Sequence, residues 1–301
     1  MKTGPNLTLG VDIGGSHITV GLVEMDERRV IEESIIRSKV NCHGTADEIL
    51  NNWAKTICEA QREEGESFTT IGIAMPGPFN YEDGICLING FDKYESLYGI
   101  NIRTGLAKRT GIAPKNICFR NDAEAFLEGE LFCGAARGFA HAIGITLGTG
   151  LGSAMSHGGF TRDAEMSVLQ YRGDKIEELV STRGIIKIYK ELTGITITDV
   201  RCLADLYYTN PSAEKAFHIF AGHLAWFLEI FIRQESPEVL VIGGNIANAY
   251  ALFMDEVIRQ LRLSGVNIPK IAAATLGENA PLIGGACKLR TVQNDTTTTT
   301  Q

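Results

Sequence analysis

The sequence predicts a two-lobed α/β protein. Two segments share one plan, in which an apolar strand leads to a glycine-rich turn with a hydroxyl residue and then to a second strand. They are residues 9–16 (LGVDIGGS) and 145–152 (ITLGTGLG). The segments lie roughly 135 residues apart, which is about one domain length. Two such turns at this spacing predict two similar lobes that face one ligand across a cleft, although a single turn would fit any tight hairpin.

Hydrophobic periodicity supplies the other elements of both lobes. The predicted strands span residues 7–11, 18–23, 30–36, 70–75, 117–119, 142–147, 152–156 and 239–242. The predicted helices span residues 46–64, 123–131, 213–234, 250–263 and 281–290. We therefore assign residues 1–120, together with a C-terminal helix at 285–301, to a small lobe, and residues 121–284 to a large one.

Composition restricts the class of protein. The 301 residues are 44% apolar and carry a net charge of −8, which disfavours a nucleic-acid surface. No apolar stretch approaches the length of a membrane span, and the N-terminal residues do not resemble a signal peptide. The seven cysteines are odd in number and dispersed, as in reduced cytosolic proteins. We expect a cytoplasmic protein that binds neither nucleic acid nor membrane.

The first turn offers groups suited to a magnesium-bound phosphate. Asp12 ends a predicted strand, and its carboxylate could hold Mg²⁺ directly or through water. Gly14, Gly15 and Ser16 follow, and glycines let phosphate oxygens approach the backbone. The alternative is that Asp12 caps the turn through its own side chain.

The second lobe contributes two further glycine-rich connections. The turn that would meet the phosphates from this side contains Gly148, Thr149, Gly150 and Gly152. A buried strand later ends at Gly243, Gly244 and Asn245, where the backbone could approach a flat base or a ribose. The alternative for this second group is an ordinary strand-to-helix connection.

Asp122 is the candidate for proton transfer. It stands with Asn121 at a strand end before a helix, where it could accept the proton of an attacking hydroxyl. Aspartate is also favoured as a helix N-cap, and the spacing alone leaves both interpretations open.

These motifs resemble, together and in order, the ROK family of repressors, open reading frames and sugar kinases. The matching segments are VDIGGS at 11–16, AMPG at 74–77, RNDA at 120–123, LGTGLG at 147–152 and VIGG at 241–244. The resemblance covers roughly residues 7–289. It implies the duplicated two-domain, actin-like (ribonuclease-H-like) ATPase fold with an interdomain cleft, and ATP with Mg²⁺ as cofactors.

The resemblance also implies roles for the site residues. In the family, the aspartate of the Asn-Asp pair is the catalytic base, which corresponds to Asp122 here. Asn121 and an asparagine after the Pro-Gly turn, for which Asn89 is the candidate, would bind sugar hydroxyls. Glu165 and Glu177 align with the two sugar-binding glutamates, and Glu178 is the alternative to Glu177.

The sugar pocket departs from the family pattern in one segment. Val168 stands where the family has a histidine, and the cysteine cluster of the family's zinc loop is absent. Because four ligands are not available, we expect no structural zinc.

The resulting prediction is an ATP-dependent kinase for a hexose or hexosamine, glucokinase-like, with the sugar as its small-molecule partner. The identity of the sugar, ATP against polyphosphate as donor, and a homodimer are left open. The alternative is a non-catalytic sugar or nucleotide sensor. Only eleven residues precede Asp12, so we expect no DNA-binding domain.

Overall fold

The chain begins with a mixed six-stranded sheet. The computed structural model describes residues 6–63, 68 and 70–287. The strands of this part are β1 (Leu7–Ile13), β2 (His17–Glu24), β3 (Arg29–Val30), β4 (Ile36–Lys39), β5 (Ile71–Met75), β6 (Phe79–Asn80), β7 (Ile85–Cys86) and β8 (Ile117–Asn121). The sheet order is β3-β2-β1-β5-β8, with β4 also paired to β2, while β6 and β7 form a separate hairpin. β1 runs antiparallel to β2 and parallel to β5, and β5 runs parallel to β8.

Three helices follow in the same part of the chain: α1 (Ala46–Glu63), α2 (Ile102–Thr110) and α3 (Asp122–Cys133). Trp53 and Ile57 of α1 are fully buried in a core that also takes Val11 of β1 and Ile73 of β5. Their side chains come from the apolar face that the period of α1 predicts, and burying this face stabilises the helix on the sheet.

The second part repeats the sheet plan of the first. Its strands are β9 (His141–Leu147), β10 (Leu151–His157), β11 (Phe160–Asp163), β12 (Gln170–Tyr171), β13 (Asp174–Lys175), β14 (Val239–Gly243) and β15 (Lys270–Ala273). The main sheet has the order β11-β10-β9-β14-β15, with one antiparallel hairpin at β9 and β10 and parallel pairing from β9 to β14 and β15. This order matches β3-β2-β1-β5-β8, so the internal duplication inferred from the two turns is also present in the topology.

The helices of the second part are α4 (Ile176–Val180), α5 (Thr182–Thr193), α6 (Val200–Asp205), α7 (Pro211–Glu235) and α8 (Met254–Leu263). α7 carries fully buried Phe217, Phe220 and Phe227 into the core of this part. It is long and apolar enough to cross a membrane by length and composition, contrary to the expectation that no stretch approaches such a length. However, 61% of its most apolar window is buried, as in the core helix of a globular protein.

Internal contacts divide the chain into two compact units. One contains the residues up to Gly134 and from Glu278 onward, and the other is Ala135–Gly277. The boundaries drawn from the sequence were residues 120 and 285. The difference arises because the last described helix, α9 (279–287), packs against α3: a Cβ on Gly284 would lie 1.8 Å from the carbonyl oxygen of Ala125. Residues 288–301 of the predicted C-terminal helix lie outside the described residues.

The predicted strand at 30–36 is two strands in the structure. β3 ends at Val30, a short 3-10 helix spans Glu32–Ser34, and β4 begins at Ile36. Both strands pair with β2, so the edge of the sheet is broken rather than continuous. The side chain of Ser34 explains the break, since its hydroxyl is buried, donates to Ile31 O and accepts from Leu22 N.

Candidate active site

Asp12 lies at the carboxyl end of β1 in the first unit. It is half-buried, and its backbone pairs with Ala74 of the neighbouring strand β5. Burial raises the pKa of Asp12 from its ordinary value of 3.8 to about 7. The negative charges of Asp122 and Glu278 raise this pKa further, while the positive charge of Arg37 lowers it. The first unit therefore gathers acidic groups at this edge of its sheet.

The turn after β1 is closed by its own backbone. The N–H of Gly14 donates to the carbonyl oxygen of His17 at 2.9 Å, and Gly15 and Ser16 at the tip are exposed. The Ser16 hydroxyl is 2.9 Å from Nδ1 of His17. Tyr94 holds the turn from the other side, because its hydroxyl donates to the carbonyl oxygen of Gly14 at 2.5 Å.

Asn121, rather than Asp122, is the N-cap of α3. The Asn121 side-chain oxygen accepts hydrogen bonds from the N–H groups of Ala123 at 2.8 Å and Glu124 at 3.2 Å. The Asn121 amide also donates to the Tyr81 hydroxyl at 3.2 Å. The amide of Asn121 has two N–H groups, so the second one is available to a ligand. The N-terminal cap of α3 therefore does not depend on the side chain of Asp122.

Asp122 is the first residue of α3 and is exposed to solvent. One of its carboxylate oxygens accepts from Ala123 N at 2.8 Å, and its other oxygen has no hydrogen bond within the described part of the chain. Crowding by protein atoms raises the pKa of Asp122 above its ordinary value, against the opposing effects of the Ala123 N–H and the charge of Lys93. A raised carboxyl pKa brings a general base closer to neutral pH.

Asn89 lies in the irregular segment after β7, in the first unit. Its side chain is exposed and makes no hydrogen bond to any described residue. The loop that follows is fixed by the Glu95 carboxylate, which accepts from the N–H groups of Gly90 at 3.0 Å, Phe91 at 2.8 Å and Asp92 at 3.2 Å. The amide of Asn89 is thus presented from an ordered loop.

The second glycine-rich turn, in the second unit, is braced from behind by a glutamate. Glu177 Oε2 accepts from the N–H of Leu151 at 3.1 Å, and a Cβ on Gly150 would lie 2.7 Å from the same oxygen. The N–H of Thr182 donates to the carbonyl oxygen of Gly148 at 2.8 Å. Thr149 at the tip is exposed, and Gly152 lies in the returning strand β10.

The connection after β14 lies directly against this turn. Gly244 has φ 86°, and a Cβ there would lie 2.4 Å from the carbonyl oxygen of Leu147, at the end of β9. Gly244 and Asn245 are exposed, while Gly243 is buried in the strand. No residue other than glycine fits this close approach without moving the backbone.

The three candidate glutamates have different surroundings. Glu165 is exposed and has φ 52°, a left-handed conformation that is rare for residues with a side chain. Glu177 contacts the second turn and lies 3.9 Å from Arg183, whereas Glu178 is exposed and forms a shorter salt bridge with Arg183 at 3.0 Å. Val168 is 57% exposed close to Glu165. The contacts therefore separate Glu177 from Glu178, which spacing alone did not.

Two carboxylates of the first unit, those of Asp12 and Asp122, are of the type that magnesium ions bind. Among the described residues, no group of three or more His, Cys, Asp or Glu is placed to hold a metal ion. Magnesium does not require one, since it keeps several waters and commonly uses one or two carboxylates with substrate phosphates. The negative charge of Asp122 raises the pKa of Asp12, and a bound cation would offset this repulsion, so the donor chemistry at this edge fits a divalent cation.

The chain matches one known protein family over most of its length. The family model described as "ROK family" matches residues 8–163 and 171–291. The unmatched stretch, 164–170, contains Glu165 and Val168, where the sequence already departs from the family pattern.

Two curated relatives and one solved structure extend the match to nearly the whole chain. The glucokinase of Thermotoga maritima is 28% identical, with 94% of this chain and 97% of that protein aligned. The N-acetyl-D-glucosamine kinase of Haemophilus influenzae is 22% identical, with 92% and 97% aligned. A ROK family glucokinase from Streptomyces griseus, solved with glucose and AMPPNP, is 24% identical with a TM-score of 0.77, and the match covers 95% of this chain and 100% of that chain. The actin-like fold class is confirmed, and the chain belongs to the ROK family.

Proposed function

We propose that this chain is an ATP-dependent sugar kinase, which transfers the γ-phosphoryl group of ATP to a hydroxyl of a hexose or hexosamine. One observation carries the proposal: Asp122 is held on a capped helix with one carboxylate oxygen open, in the same unit as Asp12 and the first glycine-rich turn. The names of the two relatives, a glucokinase and an N-acetyl-D-glucosamine kinase, supply the substrate class.

In this reaction Asp122 is the general base. A sugar hydroxyl donates its proton to the open oxygen of the Asp122 carboxylate as the hydroxyl oxygen attacks the γ-phosphorus. The new oxygen–phosphorus bond forms while the bond to the β–γ bridging oxygen breaks, and ADP leaves with that electron pair. The raised pKa of Asp122 favours acceptance of the proton.

Backbone groups of both turns are proposed to hold phosphate. Gly14, Gly15 and Ser16 would do so in the first unit, and Gly148, Thr149, Gly150 and Gly152 in the second. Gly15, Ser16 and Thr149 are exposed at the tips of these turns, and the glycines beside the two hydroxyl residues have no Cβ to block a phosphate oxygen. Gly243, Gly244 and Asn245 are proposed to lie along the base or ribose, because the exposed Gly244 backbone directly adjoins the end of β9.

The proposed magnesium ligand is Asp12, directly or through water. When bound, Mg²⁺ would neutralise charge that develops on the phosphates. The proposal is supported by the charge of Asp122, which raises the pKa of Asp12 and which a bound cation would offset. Asp12 would orient the cation, and Asp122 would remain the proton acceptor.

Four side chains besides Asp122 are proposed to bind the sugar: Asn89, Asn121, Glu165 and Glu177. Asn89 and Glu165 are exposed and have no side-chain hydrogen bond among the described residues. Asn121 has a second N–H to donate, and Glu177 Oε1, which lies 3.9 Å from Arg183, is not used by the turn. These are acceptors and donors of the kind that sugar hydroxyls require.

The cellular setting of the protein is also part of the proposal. All seven cysteines are free thiols, which suits the reducing cytoplasm. A homodimer stays a prediction, which light scattering of the purified protein would check.

A coupled ADP-release assay tests the proposal. The purified protein is given Mg–ATP and a panel of hexoses and hexosamines, with polyphosphate as a second donor. We expect ADP release that depends on one of the sugars, together with a sugar phosphate detected by ³¹P NMR. Sugar binding without turnover on the whole panel would instead support the non-catalytic sensor.

A further inference from the structure

Lys93 brings a positive charge to the first glycine-rich turn and to Asp122. It is half-buried in the segment between β7 and α2. Its Cδ atom lies 3.9 Å from the place that a Cβ on Gly15 would occupy. Its ammonium is close enough to Asp122 that its positive charge opposes the rise in the pKa of that carboxyl. Lys93 therefore lies beside both the proposed phosphate turn and the proposed base.

The backbone around Lys93 is held in an unusual conformation. Asp92 and Tyr94, on either side of it, have φ of 54° and 58°, although neither is glycine. Tyr94 is fully buried, and its ring lies 5.4 Å from that of Trp53 in an edge contact. Left-handed residues are costly and persist where the surrounding structure enforces them, often at functional sites.

Hydrogen bonds from both sides enforce this conformation. The Tyr94 hydroxyl donates to Gly14 O at 2.5 Å, and Tyr94 N donates to Cys42 O at 2.8 Å. The carboxylate of Glu95 collects three N–H groups of residues 90–92. The backbone of Lys93 is therefore held beside the Gly14 turn by Tyr94, and its own side chain takes no part in this.

The ammonium of Lys93 has no partner of its own. Within residues 6–63, 68 and 70–287, it forms no salt bridge and no hydrogen bond, although acidic groups surround this edge of the sheet. Arg37, the cation that lowers the pKa of Asp12, forms a salt bridge with Glu278 at 2.9 Å. A half-buried, uncommitted ammonium beside a phosphate turn fits a phosphoryl oxygen, which lysines bind as point charges.

We propose that Lys93 is a catalytic residue, whose ammonium binds the phosphoryl group in transfer and neutralises the charge that develops on its oxygens. The proposal rests on the kinase function proposed above. Lys93 keeps its proton throughout; the hydroxyl proton goes to Asp122, and ADP takes the electron pair of the broken bond. An ammonium in this place acts mainly on the transition state, so it affects kcat more than the binding of sugar.

Steady-state kinetics of three variants test the proposal. Lys93→Met keeps the length and apolar stem of the side chain but removes its charge, and Lys93→Arg keeps the charge. Lys115→Met, an exposed lysine in the short 3-10 helix before β8, is the matched control. We expect kcat to fall about 10²–10³-fold in Lys93→Met, as for loss of one preorganised donor. The sugar KM should stay within about threefold, Lys93→Arg should recover part of kcat, and Lys115→Met should match the wild type.

Chemical rescue separates catalysis from a structural role. Adding ethylammonium to Lys93→Ala should restore part of kcat, whereas ethanol of the same size should not. Near-normal kcat in Lys93→Met with an active wild type would overturn the proposal alone. Loss of activity in Lys93→Ala that neither Arg nor ethylammonium restores would also overturn it, in favour of a structural lysine. A wild type that phosphorylates no sugar would overturn the kinase function, and this proposal with it.

Discussion

The two glycine-rich turns occupy the same place in two sheets of the same order, yet their surroundings differ. The first follows Asp12, and Asp122, Glu278 and Lys93 add charge near it. In the second sheet, Thr146 takes the position of Asp12, one residue before the end of its strand. The second turn is instead braced by the carboxylate of Glu177 and by the backbone of Thr182.

This difference indicates a division of work, in which two units with the same sheet order contribute different chemical groups. Under the proposed function, the first unit supplies the charged side chains for proton transfer and for a cation. The second unit offers backbone and close glycine packing, which suit phosphates, ribose and base whatever the net charge. The plan of the fold is duplicated, whereas the chemistry is not.

Replacing Asp122 should produce the largest effect. Asp122→Asn keeps an oxygen for Ala123 N and leaves the Asn121 cap in place, so the fold should be intact. A correctly placed base contributes about 10²–10⁴ in rate, and we expect kcat to fall by that factor. Asp26→Asn, in the exposed turn between β2 and β3, is the control. If purified Asp122→Asn kept near-normal kcat, the first unit would not hold the base.

Variants of Glu177 should separate effects on the sugar KM from effects on the ATP KM. Glu177→Gln keeps an acceptor for Leu151 N but loses its charge, so the sugar KM should rise and the ATP KM should change little. A hydrogen bond to a charged group contributes about 1.5–3 kcal/mol, which corresponds to roughly ten- to a hundredfold in KM. Glu177→Ala also removes the brace of the second turn, and should raise both KM values.

Glu178→Gln is the control for these kinetics, because Glu178 contacts Arg183 and not the turn. Steady-state measurements with sugar and ATP varied separately decide the matter. A damaging Glu178→Gln with a silent Glu177→Gln would reverse the assignment of the two glutamates. An unchanged ATP KM in Glu177→Ala would show that the brace does not matter to the second turn.

Asp12→Asn should lose activity but gain stability at high pH. The pKa of Asp12 is about 7 in the fold against 3.8 ordinarily, so between these values the unfolded chain releases a proton that the fold retains. Rising pH therefore destabilises the metal-free protein over this range. Asparagine cannot ionise, and we expect it to add about 1–3 kcal/mol to the free energy of unfolding at pH 8, allowing for partial solvation.

Thermal unfolding in EDTA at pH 4 and pH 8 measures this effect. The advantage of Asp12→Asn should be present in full at pH 8 and fall below about 1 kcal/mol near pH 4, where the fold keeps the proton and the unfolded chain is about half protonated. An equal difference in the free energy of unfolding at the two pH values would mean that the pKa of Asp12 is not raised in the fold.

Zinc should make no difference to either turn. The family's histidine position holds Val168, and the cysteine cluster of the zinc loop is absent from the sequence. We expect elemental analysis of zinc-supplemented protein to find less than one zinc per chain, and the unfolding temperature to be unchanged by chelation. Tightly held, stoichiometric zinc would mean that residues other than those of the family's zinc loop bind zinc in this chain.

The sequence predicted those features of the fold that depend on a residue type and its immediate neighbours. The turns at Gly14 and Gly148 predicted the duplicated sheets, because a glycine-rich hairpin between apolar strands is a local pattern. The spacing left open whether Asp122 is a helix N-cap, since Asp favours that position, and only backbone geometry shows that Asn121 is the cap.

Other features depend on contacts between distant segments, which no local pattern shows. Lys93 belongs to an irregular loop without periodicity, and its place beside Gly15 follows from the Tyr94 bond to Gly14, 80 positions away. The contact of Glu177 with Leu151 N likewise joins separate segments. The split of strand 30–36 was missed because one buried serine hydroxyl outweighs the strand pattern.

Equilibrium titration of Mg–AMPPNP into three proteins tests the division of work most directly. Gly244→Ala places a Cβ against the carbonyl of Leu147 and should distort the second turn, while Asp122→Asn leaves that unit untouched. We predict wild-type affinity within about threefold for Asp122→Asn, and affinity weakened at least tenfold, or about 1.4 kcal/mol, for Gly244→Ala with its fold retained. Loss of nucleotide binding in Asp122→Asn, with unchanged binding in Gly244→Ala, would contradict the assignment of the two units.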